Sequence, residues 1–183
     1  MKAVLEVREK IYNHIQNCSH CQWHDRASHD EFISYCVAKD TIQDTAEALS
    51  AHRSEGFSDD IYKRYIEYYG ILQAVYMQQD AIKVLHNLFL GKDPGNSDKD
   101  NWNQLRDLRN DTVGHPVERR NFLNRLFIGY DRVKYHWWPK GKHSPKFSDV
   151  NLAKLIDGYE QEAASVLGTI LAEIERNCTS NSI

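Results

Sequence analysis

Apolar residues recur every three or four positions along most of this chain, the period of helices that bury one face. Val4, Val7, Ile11 and Ile15 predict a first helix over about Lys2–Gln16. Ser28-x-x-Glu31 is a capping box that opens a second, with Phe32, Cys36, Ile42, Ala46 and Leu49 inward and an end near Arg53. Ser58 or Asp59 caps a third and longest helix, whose stripe runs Ile61, Tyr65, Tyr68, Leu72, Val75, Gln79, Ile82, His86, Phe89. After the loop Gly91–Ser97, Asp98 or Asp100 caps a fourth, which turns Trp102, Leu105 and Leu108 inward. Gly114 is expected to stop it in a left-handed cap. The last helix runs from Ser148 or Asp149 to about Asn177 on Leu152, Leu155, Tyr159, Ala163, Val166, Ile170 and Ile174, with a frayed tail from Thr179.

Between the fourth and last helices the period changes from helical to alternating. Leu126, Ile128 and Tyr130, then Val133, Tyr135 and Trp137, alternate with polar residues around Gly129-Tyr130-Asp131, which predicts a hairpin. A basic loop follows from Pro139 to Pro145. The expected fold is all-α: one domain over residues 1–183, an antiparallel bundle of about five helices with a short β-hairpin before the last. No internal repeat or low-complexity segment interrupts it.

Composition narrows the partners. With 41% hydrophobic and 27% charged residues and no run of apolar residues near the length of a span, a membrane partner is not expected. The start, Met1 to Glu6, lacks the apolar core and cleavage site of a secretory signal. The expected compartment is the cytoplasm, where the four cysteines stay reduced. Cys18-Ser19-His20-Cys21 with His24 offers three donors of a zinc site, with Cys36 or His29 as a fourth. The matching second half-site is missing, so the expectation is small thiols in a loop, with neither metal nor other cofactor assigned. The net charge of −3 hides a split: from Arg119 to Lys146 eight cations face only Asp131, +7 in all, which leaves −10 elsewhere. Such a split favours a partner of opposite sign at one place on the surface.

The candidate chemistry lies in Arg109-Asn110-Asp111-Thr112-Val113-Gly114-His115-Pro116. An Arg followed by a His within four to six residues arises about 1.6 times by chance here, and Arg8 and His14 repeat it, so the spacing alone decides nothing. Arg8 and His14 stand roughly 120° apart on one unbroken helix and cannot converge. Arg109 instead falls seven residues after Trp102 and four after Leu105, on their inward stripe, at a helix end. A guanidinium there needs an anion, either a carboxylate such as Asp80 or a bound phosphate. Gln79 and His86 interrupt the apolar stripe of the third helix, so with Asp80 they are candidates for the lining of a cleft, or else are polar core residues with partners of their own.

Arg109, Asn110 and His115 resemble the hallmark of the HEPN superfamily, all-helical domains in which Arg is followed by a polar residue and, four to six residues on, by His. Tyr68-Tyr69-Gly70-Ile71-Leu72-Gln73-Ala74 and Gln78-Gln79-Asp80 also resemble uncharacterised bacterial members. The resemblance implies a metal-independent endoribonuclease working as a homodimer, with the two motifs facing one cleft. It equally implies a place among toxins paired with an antitoxin protein, abortive-infection proteins or non-catalytic binding modules. Some toxin members carry a tyrosine two residues after the histidine; here that residue is Val117.

The residues suit the chemistry on their own terms. Cleaving RNA through its 2′-hydroxyl requires a base, an acid and a cation for the crowded phosphate. His115, as an imidazole, can take either proton-transfer role at neutral pH. Arg109 offers a planar fork to phosphate oxygens, Asn110 a hydrogen bond that orients either group, and Pro116 an extended His115 backbone. Arg132, Lys134, Tyr135, Trp137, Trp138, Lys140 and Lys142 mix cations with ring faces, a pattern suited to single-stranded RNA. The alternative is a non-catalytic module that binds a nucleotide, an RNA or a protein in the same groove.

Overall fold

A computed structural model describes residues 1–17, 23–95, 100–114, 118–119, 122–129, 132–139 and 146–180, with the backbone alone at 24, 118–119, 122–125, 135, 137, 139, 146 and 179–180. The helices are α1 (Lys2–Asn17), a short α2 (Trp23–Arg26), α3 (His29–Glu55), α4 (Ile61–Leu90), α5 (Asp100–Arg109) and α6 (Leu152–Ser180). A π-helical turn, Asn110–Gly114, continues α5. Strands β1 (Glu118–Arg119), β2 (Phe122–Ile128), β3 (Val133–Pro139) and β4 (Lys146–Val150) lie between that turn and α6. The helical bundle and the hairpin before the last helix are both present. The hairpin, β2 with β3, is the middle of a four-stranded antiparallel meander in the order β1-β2-β3-β4.

Local signals set several helix ends. Ser28 and Glu31 exchange the two bonds of the capping box, the Ser28 hydroxyl accepting from Glu31 N–H at 3.3 Å and Glu31 Oε2 from Ser28 N–H at 2.7 Å. Asp60, not Ser58 or Asp59, caps α4 by accepting from Tyr62 N–H at 2.8 Å. Gly91 ends α4 in the left-handed region, at φ 68° and ψ 14°. The end of α5 corrects an expectation. Gly56 and Gly91 are the positive-φ glycines among the described residues, so Gly114 is no left-handed cap. Instead the last turn widens into π geometry, held by the Thr112 hydroxyl donating to Leu108 C=O at 2.6 Å. The start of α5 is capped from elsewhere in the chain: both carboxylate oxygens of Glu162, on α6, accept from Asn101 N–H (3.0 Å) and Trp102 N–H (2.7 Å).

Helix α4 is central. It packs against α3 on one side and α5 and α6 on the other, so it buries more than one stripe: Ile71, Gln78, Ala81 and Leu85 join Tyr68, Leu72, Val75, Gln79, Ile82 and His86. Every position of the expected α6 stripe is buried. Along α3 the stripe shifts by a residue near its start: Tyr35 and Ala38 are buried, whereas Phe32 is exposed and Cys36 half-buried. A polar chain crosses the centre, where Tyr159 O–H donates to Gln78 Oε1 at 3.0 Å and Gln78 Nε2 donates to the Thr45 hydroxyl at 3.1 Å. No described helix is long and apolar enough to cross a membrane.

Candidate phosphate site and nucleic-acid surface

The guanidinium of Arg109 sits half-buried between the end of α5 and α4. Its Nε and Nη2 donate to Gln73 Oε1 (3.3 and 3.0 Å), and its Nη1 donates to Asn110 Oδ1 (3.2 Å). The Tyr76 ring lies beneath it, with Cζ 4.1 Å from the ring centre. All of these partners are neutral. The carboxylate weighed for Arg109 is occupied elsewhere: Asp80 pairs at 2.8 Å with Arg106, whose guanidinium rests on the same Tyr76 ring at 4.2 Å. Arg106 also donates to Gln79 Oε1 at 3.4 Å.

The repeat of the spacing at Arg8 provides an internal comparison. Arg8 is buried, but it lies 2.9 Å from Glu9 and 3.8 Å from Asp40. One arginine has its counter-charge supplied by the fold. The other, among the described residues, has amides and a ring.

Of the three residues expected to support a cleft, Asp80 lines an open groove with Gln73 and Tyr76, while Gln79 and His86 are hydrogen-bonded within the bundle. Gln79 donates to Trp102 C=O at 2.9 Å, tying α4 to α5. His86 donates from Nδ1 to Lys92 C=O at 2.7 Å just beyond the end of α4. Asp80 neutralises Arg106, as above. Gln79 and His86 are thus satisfied polar core groups, and Gln73 and Tyr76, which sequence reasoning passed over, are the residues that hold Arg109. Their spacing of three on a helix that also carries Gln79 and Asp80 was the available signal. Asn110 is placed beside Arg109, while His115 lies outside the described residues, as do Pro116 and Val117.

The sheet sorts the expected RNA-binding residues by register. Val133 is buried and Val150, its β4 partner, packs on the core; Tyr135 and Trp137 share with Val133 the alternating positions of β3. Lys134, His136 and Trp138 occupy the other register, on β3 between Phe127 of β2 and Phe147 of β4. On that face the His136 ring contacts Phe127 (4.7 Å between centres), Phe147 (4.3 Å) and Trp138 (5.9 Å). Lys134 and Phe147 are exposed, and Arg132 pairs with Asp149 at 2.7 Å. Lys140 and Lys142 lie outside the described residues. Phe127, His136 and Phe147 were not foreseen: the expected hairpin supplies β2 and β3 but not β4, and the register of β3 with both neighbours brings the three rings together.

The zinc expectation meets a different arrangement. Cys18 and Cys21 lie outside the described residues, Cys36 is a free thiol, and the described residues hold no group of three or more His, Cys, Asp or Glu suited to a metal. Yet His14 Nε2 on α1 comes within 3.2 Å of Cys178 Sγ on α6. Contrary to the reduced state expected of all four cysteines, Cys178 is disulfide-bonded.

No protein-family model, no curated protein and no solved structure matches the chain.

Proposed function

We propose that this protein is an RNA-directed helical domain that cleaves the phosphodiester without metal at Arg109, Asn110 and His115. The observation that carries the reading is the guanidinium of Arg109, half-buried and, among the described residues, provided with neutral acceptors only, where Arg8 has carboxylates. A guanidinium so placed has a favourable unfilled role as the binding fork of an external anion. The resemblance to HEPN domains supplies the reaction: the RNA 2′-oxygen attacks phosphorus, the 5′-oxygen leaves, and a 2′,3′-cyclic phosphate remains. His115 carries one proton transfer, and in a homodimer the partner's copy of the same histidine carries the other. The aromatic and basic outer face of the sheet, Phe127, Lys134, His136, Trp138 and Phe147, binds the strand by stacking and charge.

The test is purified protein with end-labelled single-stranded RNA in EDTA, alongside Arg109→Ala and His115→Ala. Cleavage to cyclic-phosphate ends, lost in both variants, is the expected result. Saturable binding that needs Arg109 but shows no turnover would instead establish the non-catalytic module, and undiminished cleavage by His115→Ala would overturn the catalytic assignment.

A further inference from the structure

Between the end of α3 and the start of α6 lies a pocket of about 140 Å³. Leu49, Phe57, Ile71, Leu152 and Ile156 make most of its wall apolar. His52 stands among them, and its Nε2 is buried with no hydrogen-bond partner among the described residues. A buried polar atom left unpaired costs free energy, so an imidazole nitrogen of this kind in the wall of a pocket calls for a partner inside it. The His52 and Phe57 rings meet edge to face, 4.8 Å between centres, and Gly56 N–H closes the turn between them by donating to His52 C=O at 2.7 Å.

The wall also limits what the partner can be. A buried water makes about three hydrogen bonds. Here the other charged side chains of the wall, Arg53 and Asp157, are exposed and paired with each other at 2.8 Å. Arg53 lies 3.5 Å from Glu160 as well, so its charge is matched and the entrance offers no vacant cation to a carboxylate or a phosphate. An apolar cavity of about 150 Å³ holds one benzene ring. We propose that this pocket binds a small neutral aromatic alcohol, with its ring against Leu49, Phe57, Ile71 and Ile156 and its hydroxyl on His52 Nε2. A hydroxyl both donates and accepts, so it satisfies the imidazole nitrogen in either tautomer. The ligand touches α3, α4 and α6 together and stabilises the bundle by mass action.

The experiment titrates the full chain with phenol, toluene and benzoate, read by the methyl NMR signals of Leu49, Ile71, Leu152 and Ile156. Phenol should shift these signals saturably at one site per chain. Toluene should bind about fivefold more weakly, the scale of one hydrogen bond. Benzoate should not bind, because its charge would be left unpaired in an apolar wall. His52→Phe should bind phenol and toluene alike. Ala153→Phe, at an exposed position that lines the same pocket, should abolish the binding of both. Helical circular dichroism checks each variant. If His52→Phe does not fold, a shift of the His52 ring nitrogen signal in the wild type on adding phenol decides the contact. The proposal is overturned by toluene binding as tightly as phenol, by a phenol preference kept in folded His52→Phe, or by phenol binding undiminished in folded Ala153→Phe. It is equally overturned if no saturable shift appears at any phenol concentration that leaves the fold intact; destabilisation of His52→Phe in that case would assign the nitrogen to a trapped water. None of these variants touches Arg109, so the outcome is separate from that of the ribonuclease reading.

Discussion

A Cβ placed on Gly114 would stand 2.9 Å from Nη1 of Arg109. The glycine therefore serves close approach: the guanidinium folds back over the π turn into the space that any side chain at 114 would fill. Gly114→Ala should leave the bundle intact, since no left-handed backbone is required there. It should displace the Arg109 fork and weaken RNA binding about tenfold, the scale of one charge-assisted hydrogen bond. Unchanged affinity by fluorescence anisotropy, with unchanged helical circular dichroism, would remove Arg109 from the site.

Arg109→Lys separates charge from geometry. The ammonium keeps the positive charge but cannot reach Gln73, Asn110 and a phosphate as a planar fork. Cleavage is expected to fall about as far in the lysine variant as in alanine, while binding at low salt falls less. A lysine enzyme as active as the wild type would mean that charge alone suffices.

Two buried tyrosines should answer the same substitution in opposite ways. Tyr159→Phe leaves the buried Gln78 Oε1 without its donor and should cost about 1–3 kcal/mol in denaturant unfolding. The Tyr35 hydroxyl has no hydrogen-bond partner among the described residues, so Tyr35→Phe should be neutral or stabilising. Destabilisation of equal size in both would show that the Tyr35 hydroxyl is hydrogen-bonded in the folded protein.

Burial raises the pKa of both phenols, for Tyr159 well above the ordinary range, with the Glu162 charge adding to the effect. A raised folded-state pKa contributes stability that is complete below the unfolded tyrosine pKa of about 10 and is lost as pH rises above it. Stability should thus fall steeply above about pH 10, and phenolate absorbance from these two residues should appear only with unfolding. Reversible ionisation of every tyrosine in the folded protein would contradict their burial.

Glu162 reaches the candidate site without touching it. Its two oxygens cap α5, the helix that ends in Arg109, and the Asn101 amide also donates to it while packing against Gly158. Glu162→Gln keeps the shape but replaces one acceptor by a donor, which should cost about 1 kcal/mol, the scale of a helix cap. Hydrogen exchange should rise first at the start of α5.

What the sequence revealed, and what it withheld, follows from how far apart the interacting groups lie. Ser28 with Glu31, the stop at Gly91 and the whole α6 stripe are visible because their causes sit within a few residues. Gln78 and Tyr35 were missed because a single helical stripe describes a helix with one buried face, and both depend on which neighbours enclose it. The cap on α5 comes from Glu162, sixty-one residues beyond Asn101, and no local signal announces it. At the candidate site the inward phase of Arg109 was legible, but its cradle of Gln73 and Tyr76, and the diversion of Asp80 to Arg106, are tertiary choices.

Tyr76 carries two guanidiniums on one ring, and among the described residues a carboxylate attends only that of Arg106. An anion that settles on Arg109 accordingly enters a field of two cations already discounted by Asp80. On the proposed reading that aspartate would act as a governor on residence time, limiting how tightly a polyanion is held and hastening its departure. With Asp80→Asn the governor is gone, RNA should dwell longer, and release rather than bond breaking should become the slow step of the cycle.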